Sequence, residues 1–134
     1  MPDPRLPLAG VRVLDVATVL AAPVAATLLG DFGADVVKVE EPRRGDFTRA
    51  GLGTDGSGTR SLQWVQEGRN KKSVTIDLRT PRGQQLLCEL VPHFDVVVTN
   101  YRPPTLEKWG LEPERLQELN PRAVLVFLTG YGLT

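Results

Sequence analysis

LAGVRVLDVATVLAAPVAATLLGDFGADVVKVEEP, residues Leu8–Pro42, decides how the rest of the chain is read. Val11–Val16 (VRVLDV) is β-branched and almost continuously apolar, the pattern of a strand covered on both faces. Pro23 falls where a first helical turn tolerates it, because the N–H it lacks would have no partner there. Val24–Phe32 is a run of small and apolar residues that predicts a helix, and Gly33 stands where a left-handed residue closes one. Ala34–Glu40 (ADVVKVE) predicts a second apolar strand. Two strands joined by a helix make a right-handed βαβ crossover, and such sheets bind ligands at the carboxyl ends of their strands. Ala17–Pro23 and Glu40–Gly45 then lie side by side at a candidate crevice.

A dinucleotide site is the first reading to test on such a unit. Its G-x-G-x-x-G turn needs glycines where the backbone approaches a pyrophosphate. Residues Ala17–Pro23 contain none, so the NAD reading is weak. Glu40 could contact a ribose hydroxyl, but by itself it reads as a solvated strand end. The chain has 134 residues, 41% of them hydrophobic, with 16 basic and 16 acidic side chains. Zero net charge lacks the basic excess that attracts nucleic acid or a membrane surface. The longest apolar run, Val16–Gly30, is interrupted by Pro23 and falls short of a bilayer span of about 20 residues. No signal-peptide core precedes it, and the single cysteine, Cys88, fits a reducing cytoplasm.

Residues 1–7 read as a flexible arm, and Arg43–Thr59 as a long glycine-rich surface loop. Ser61–Glu67 is a short apolar patch of either type, anchored by Trp64. Gly68–Ser73 (GRNKKS) is a basic turn leading into a third strand, Val74–Leu78. Thr80 and Pro81 open a helix that Pro92 ends. Asp95–Asn100 predicts a fourth strand, Pro103–Trp109 and Glu112–Leu119 short helices, and Ala123–Thr129 a fifth strand. The expected fold is α/β: a Rossmann-like, mainly parallel sheet with helices on both faces and Val11–Val16 at its centre.

Arg69, Asn70, Lys71 and Lys72 supply three cations and an amide, donors that suit phosphate oxygens; the plainer reading is a solvated basic turn. Asn100, Tyr101 and Arg102 follow the fourth strand, on the side where ligands bind. Arg102 could hold a phosphate, and Tyr101 could stack or simply anchor the loop. Cys88 and His93 complete neither a metal site nor a nucleophile–base pair and read as packing and helix-end residues.

The opening stretch resembles the start of the class III CoA-transferase family, the formyl-CoA and carnitine CoA-transferase (CaiB/BaiF) group. GRNKKSVTIDLRTPRG, DVVVTNYRPPTLEKWGL and NPRAVLVFLTGYG extend the likeness in order, so that residues 8–134 read as its N-terminal CoA-binding part. The resemblance implies a transferase that moves CoA from an acyl-CoA thioester to a carboxylic acid through an aspartyl covalent intermediate. Coenzyme A is then a substrate, with no prosthetic group, and the full protein an interlocked cytoplasmic homodimer. The family aspartate matches nothing in this chain, so no catalytic residue is assigned and the isolated 134 residues are expected to be inactive and prone to self-association. Cofactor contacts carried over are Val19, Leu20 and Ala21, whose backbone lines the adenosine or thioester end of CoA. Arg69–Lys72, Asn100–Arg102 and Lys108 would surround its nucleotide and phosphates in one crevice at the carboxyl side of the sheet. Leu20 departs from the glutamine or arginine of many transferases, and Glu41 stands where an arginine is common. Two alternatives stay open: an α-methylacyl-CoA racemase of the same superfamily, and a non-catalytic CoA-binding fragment.

Overall fold

The computed structural model describes residues 5–51, 53 and 61–133. Part of the expected arm (1–4) and of the expected loop (52 and 54–59) lies outside these residues. Five strands, β1 Arg12–Asp15, β2 Asp35–Glu40, β3 Lys71–Thr75, β4 Val96–Thr99 and β5 Val124–Phe127, pair in the order β3-β2-β1-β4-β5, all parallel. The expected parallel α/β sheet with a central first strand is present. After β3 the chain crosses to the other side of β1, so the strand order reverses between β1 and β4. A crevice opens at the carboxyl ends of the strands at such a reversal.

Among the described residues, five α-helices accompany the sheet: α1 Ala21–Asp31, α2 Leu62–Glu67, α3 Pro81–Leu90, α4 Pro103–Trp109 and α5 Pro113–Leu119. Alternation along β1 feeds two separate cores. Val13 joins Ala22 and Ala26 of α1 on one face, while Leu14 joins Leu87, Leu106 and Leu116 of α3, α4 and α5 on the other. Each buried valine or leucine among these contributes about 1.5–3 kcal/mol relative to exposure. Small buried residues on α1, Ala22 and Ala26, let that helix lie close to the strands.

Local signals act as expected at most helix ends. The Thr80 hydroxyl accepts from the Gly83 N–H at 3.1 Å and Pro81 opens α3; Gly110, with φ +64°, closes α4. Gly33 follows α1 with φ +103°, the left-handed position expected of it. Ser61–Glu67 resolves as helix: the Ser61 hydroxyl caps α2 by accepting from the Trp64 N–H at 3.3 Å.

Two expectations need correction. The third strand is Lys71–Thr75, not Val74–Leu78. Lys71–Thr75 pairs with Val36–Glu40 at the sheet's edge and is largely exposed, whereas Ile76 and Leu78 lie beyond the ladder and are buried in the core. Burial of those two apolar side chains comes from packing rather than from strand pairing. Arg43–Thr59 is not uniformly a surface loop either, because Phe47–Ala50 forms a 3₁₀ turn with Asp46 and Thr48 buried beneath it.

Candidate functional site

Two turns meet at the strand reversal. After β1 the backbone runs through Ala17–Leu20 into α1; after β4 it runs through Asn100–Arg102 into α4. Asn100 joins them: its Oδ1 accepts from the Thr18 N–H at 2.9 Å, and its Nδ2 donates to the Thr18 carbonyl at 2.8 Å. The next residue, Val19, has φ +67°, a conformation costly for a β-branched side chain. No side chain caps α1, and Pro23 has no N–H, so the Ala21 and Ala22 N–H groups have no acceptor among the described residues. Val19 and Leu20 present their side chains to solvent, at 42% and 49% exposure.

Beneath this turn is a buried charge cluster that sequence reasoning missed. Lys38 Nζ donates to the Ala17 carbonyl at 2.8 Å and lies 3.5 Å from Asp15 Oδ2 and 3.2 Å from Asp46 Oδ2. Lys71 Nζ donates to Asp15 Oδ2 at 2.8 Å and to the Pro23 carbonyl at 2.6 Å. Asp46 Oδ2 also accepts from the Val19 N–H at 3.2 Å, while Oδ1 accepts from the Thr48 N–H and hydroxyl at 2.9 and 2.6 Å. Burial alone would raise the Asp46 carboxyl, but the Thr48 hydrogen bonds and the Lys38 charge outweigh it and hold it below its usual range. Burial pushes the Lys71 ammonium down, against the opposing pull of Asp15. A lone charge in each apolar strand, Asp15 in VRVLDV and Lys38 in DVVKVE, was the available signal, since a charge inside a buried strand needs a partner.

Glu40 is not a solvated strand end. It is buried, and it accepts from Arg49 Nε and Nη2 at 2.6 and 2.7 Å, from the Ser73 hydroxyl at 2.5 Å and from the Asp46 N–H at 2.8 Å. Those four bonds commit the carboxylate internally, which leaves a ribose hydroxyl no free acid at the position a dinucleotide would use. Arg49 in turn stacks over Trp64, with its guanidinium carbon 3.7 Å from the ring centroid.

A groove of about 200 Å³ opens beyond the carboxyl ends of β2 and β3, lined in part by Glu41, Asp77, Arg79, Tyr101 and Trp109. Tyr101 and Trp109 meet edge to face, 4.9 Å between centroids at 71°, and form its aromatic wall. Burial raises the Tyr101 phenol, so it stays protonated and can donate. Opposite, the Arg79 guanidinium is held by Asp77 at 2.8 Å and Glu41 at 2.9 Å while 61% of the side chain remains exposed. Arg79 was also missed; its place directly after the third apolar run put it on the ligand side of the sheet. A second cleft, beyond the end of β5, includes Arg102, Glu107 and residues Gly130–Leu133. Lys108 is exposed on the last turn of α4, outside the walls of both clefts.

Arg69, Asn70, Lys71 and Lys72 do not share a crevice with these groups. They precede or open β3, and in a parallel sheet that places them at the amino end, in register with Val36 and Val37 at the start of β2. Arg69 binds Asp31 through Nε at 3.2 Å and Nη2 at 2.6 Å, and Asn70 Nδ2 donates to Asp31 Oδ1 at 2.7 Å. Lys72 pairs with Asp35 at 2.7 Å. Only Lys71 reaches toward the first turn, and its ammonium is enclosed by Asp15 and Pro23. Of the residues singled out in the sequence, Val19, Leu20, Ala21, Asn100, Tyr101 and Arg102 come together at the carboxyl edge; the basic turn does not join them.

Comparison with known proteins adds an independent line. The model of CoA-transferase family III matches residues 8–134. A succinyl-CoA–L-malate CoA-transferase beta subunit from Chloroflexus aurantiacus is 54% identical over 96% of this chain and 32% of its own length. A succinyl-CoA–D-citramalate CoA-transferase of the same organism is 50% identical over 98% of this chain and 32% of its own. Among solved structures, a CaiB/BaiF family protein from Brucella suis superposes with a TM-score of 0.85 at 41% identity, covering 96% of this chain and 35% of that one. The chain therefore spans about a third of the length of the relatives it matches.

Proposed function

The chain belongs to CoA-transferase family III, and from that premise we propose that its carboxyl edge binds coenzyme A as the nucleotide-holding part of an acyl-CoA:carboxylate CoA-transferase. The observation that carries the reading is the pairing of the Tyr101–Trp109 wall with the Arg79 guanidinium across one groove, beside the turn at the strand reversal. An aromatic wall suits the adenine ring, and a positioned guanidinium suits a phosphate. Arg102 and Lys108 extend the cationic side of the edge toward the remaining phosphates. Val19, Leu20 and Ala21 would then face the thioester end, where the exposed Ala21 N–H at the start of α1, without an acceptor among the described residues, offers a donor to a carbonyl oxygen. Arg69, Asn70, Lys71 and Lys72, assigned to CoA from the sequence, take a scaffolding part in this reading, because they stand at the amino end of β3, away from the groove.

In the transfer itself, a carboxylate of the whole protein attacks the thioester carbonyl, the C–S bond breaks, CoA leaves as thiolate, and a mixed anhydride remains on the enzyme. The thiolate then attacks the enzyme's own acyl carbon, releasing the donor acid and leaving CoA on the aspartyl group. An acceptor carboxylate repeats the two steps in reverse order and departs as the new acyl-CoA. Dividing the exchange in this way replaces one difficult displacement by several easier ones. No residue of this chain supplies that aspartate. A succinyl-CoA donor and a hydroxylated dicarboxylic acceptor are the first substrates to try, by similarity to the two Chloroflexus enzymes. A homodimer of the whole protein is part of the same proposal.

Calorimetric titration of the chain with CoA, dephospho-CoA and NAD tests the binding reading. CoA binding, weaker for dephospho-CoA and lost for NAD, is the expected order. Equal affinity for CoA and dephospho-CoA would remove the 3′-phosphate contact, and binding of NAD alone would overturn the assignment. Loss of Arg102 in Arg102→Ala should weaken CoA about tenfold, one charge-assisted bond, while Arg43→Ala should not.

A further inference from the structure

The turn after β1 adopts a costly conformation, and the structure shows a buried ion pair reaching into it from below. Val19 sits at φ +67° with its side chain partly in solvent, so apolar packing does not hold it there. Its N–H donates to Asp46 Oδ2 at 3.2 Å. That oxygen lies 3.2 Å from the ammonium of Lys38, which also donates to the carbonyl of Ala17, two residues before Val19. Asp46 is fixed in turn through its other oxygen by both donors of Thr48 and through its own N–H by Glu40. The side chains of Lys38 and Asp46 are 1% and 2% exposed, so solvent does not screen the pair. The turn is thus gripped at Ala17 by Lys38, at Thr18 by Asn100 and at Val19 by Asp46.

We infer that Asp46, backed by Lys38, is a positioning residue: it holds the Val19 N–H so that the backbone of Leu20 and Ala21 is presented in one orientation at the carboxyl edge. This deepens the CoA reading and rests on it for the ligand, though not for the geometry. Asp46 is buried and meets the candidate ligand residues through the Val19 N–H, so its effect passes through the backbone of the turn. Without it the turn relaxes to an ordinary conformation, and a ligand that uses these amides must restore the strained one at its own cost in affinity. The nucleotide groove beside the turn depends on Asp46 less directly, since Arg79 is held by Asp77 and Glu41 and Tyr101 packs on Trp109.

The test uses the full chain with Asp46→Asn, which keeps shape and one acceptor oxygen but removes the charge facing Lys38. Amide NMR spectra are compared first, then calorimetric affinities for acetyl-CoA and adenosine 3′,5′-bisphosphate. The expected result is a displacement of the Val19, Leu20 and Ala21 amide resonances, with faster hydrogen exchange at Val19. Acetyl-CoA should bind about tenfold more weakly, and the bisphosphate within twofold of wild type. Unchanged amides in this turn would overturn the inference, and so would equal weakening of both ligands. If the wild-type chain bound neither probe, the CoA reading would fail by itself, while the amide spectra would still decide the role of Asp46. Thr48→Val, which removes only the hydroxyl donor to Asp46 Oδ1, guards against a variant that does not fold. It should move the same three amides by a smaller amount, and no movement there refutes the inference.

Discussion

Replacing Glu40 by glutamine should cost this protein stability in a pH-dependent way. The carboxylate is buried at the end of β2 and accepts four hydrogen bonds, two of them from the Arg49 guanidinium. Burial acts to raise its pKa; the bonds from Arg49, Ser73 and the Asp46 N–H outweigh it and bring the group down from 4.5 to about 2. A lowering of that size corresponds to about 3 kcal/mol at about 1.4 kcal/mol per unit. Arg49 is 38% exposed, so solvent screening trims this to about 2 kcal/mol. The folded pKa lies below the unfolded one, so the contribution is complete above pH 4.5 and is lost as the pH falls from 4.5 toward 2. Glu40→Gln should therefore be about 2 kcal/mol less stable than wild type at pH 7, with the gap narrowing by pH 3. Urea unfolding followed by tryptophan fluorescence at both pH values measures it, and Trp64 under Arg49 reports the site directly. Comparing the two proteins at each pH cancels the other carboxylates. A gap below about 0.5 kcal/mol at pH 7, or one that stays constant down to pH 3, would refute the reasoning.

Arg79→Ala should weaken CoA about tenfold by calorimetry, whereas Lys72→Ala, which frees only the exposed pair with Asp35, should leave affinity within about twofold. Lys71→Met removes the ammonium 2.8 Å from the fully buried Asp15 and should cost about 3 kcal/mol in urea unfolding at pH 7. Gly83→Ala would set a Cβ 1.9 Å from the Asp77 carbonyl oxygen, where α3 starts against the end of β3. A loss of about 3 kcal/mol or more in Tm-derived stability is expected, and a neutral result would show that the helix can shift.

Element types were legible because local signals and tertiary packing agree through most of the chain. Val11–Val16, Thr80-Pro81 and Gly110 each say the same thing to a short window that they say in the fold. The third strand was misplaced because the two levels disagree there. Val74–Leu78 carries the apolar residues, but the ladder to β2 is made by Lys71–Thr75, whose edge position requires no buried face. The same slip explains the basic turn. GRNKKS has the composition of a phosphate site, and only topology reveals that a turn before a parallel strand lies at the amino end, away from the crevice. Its acids are far off in sequence: Asp31 and Asp35 meet Arg69 and Lys72 across 38 and 37 residues. Arg79 has the opposite history. It was passed over in the sequence, yet its position after the strand puts it at the carboxyl end of the sheet. In a parallel sheet, then, which side of a strand a cation lies on says more about its use than how many cations stand beside it. By that criterion Arg79 and Arg102 face the crevice, and the denser cluster at Arg69–Lys72 ties α1 and β2 to the sheet's edge.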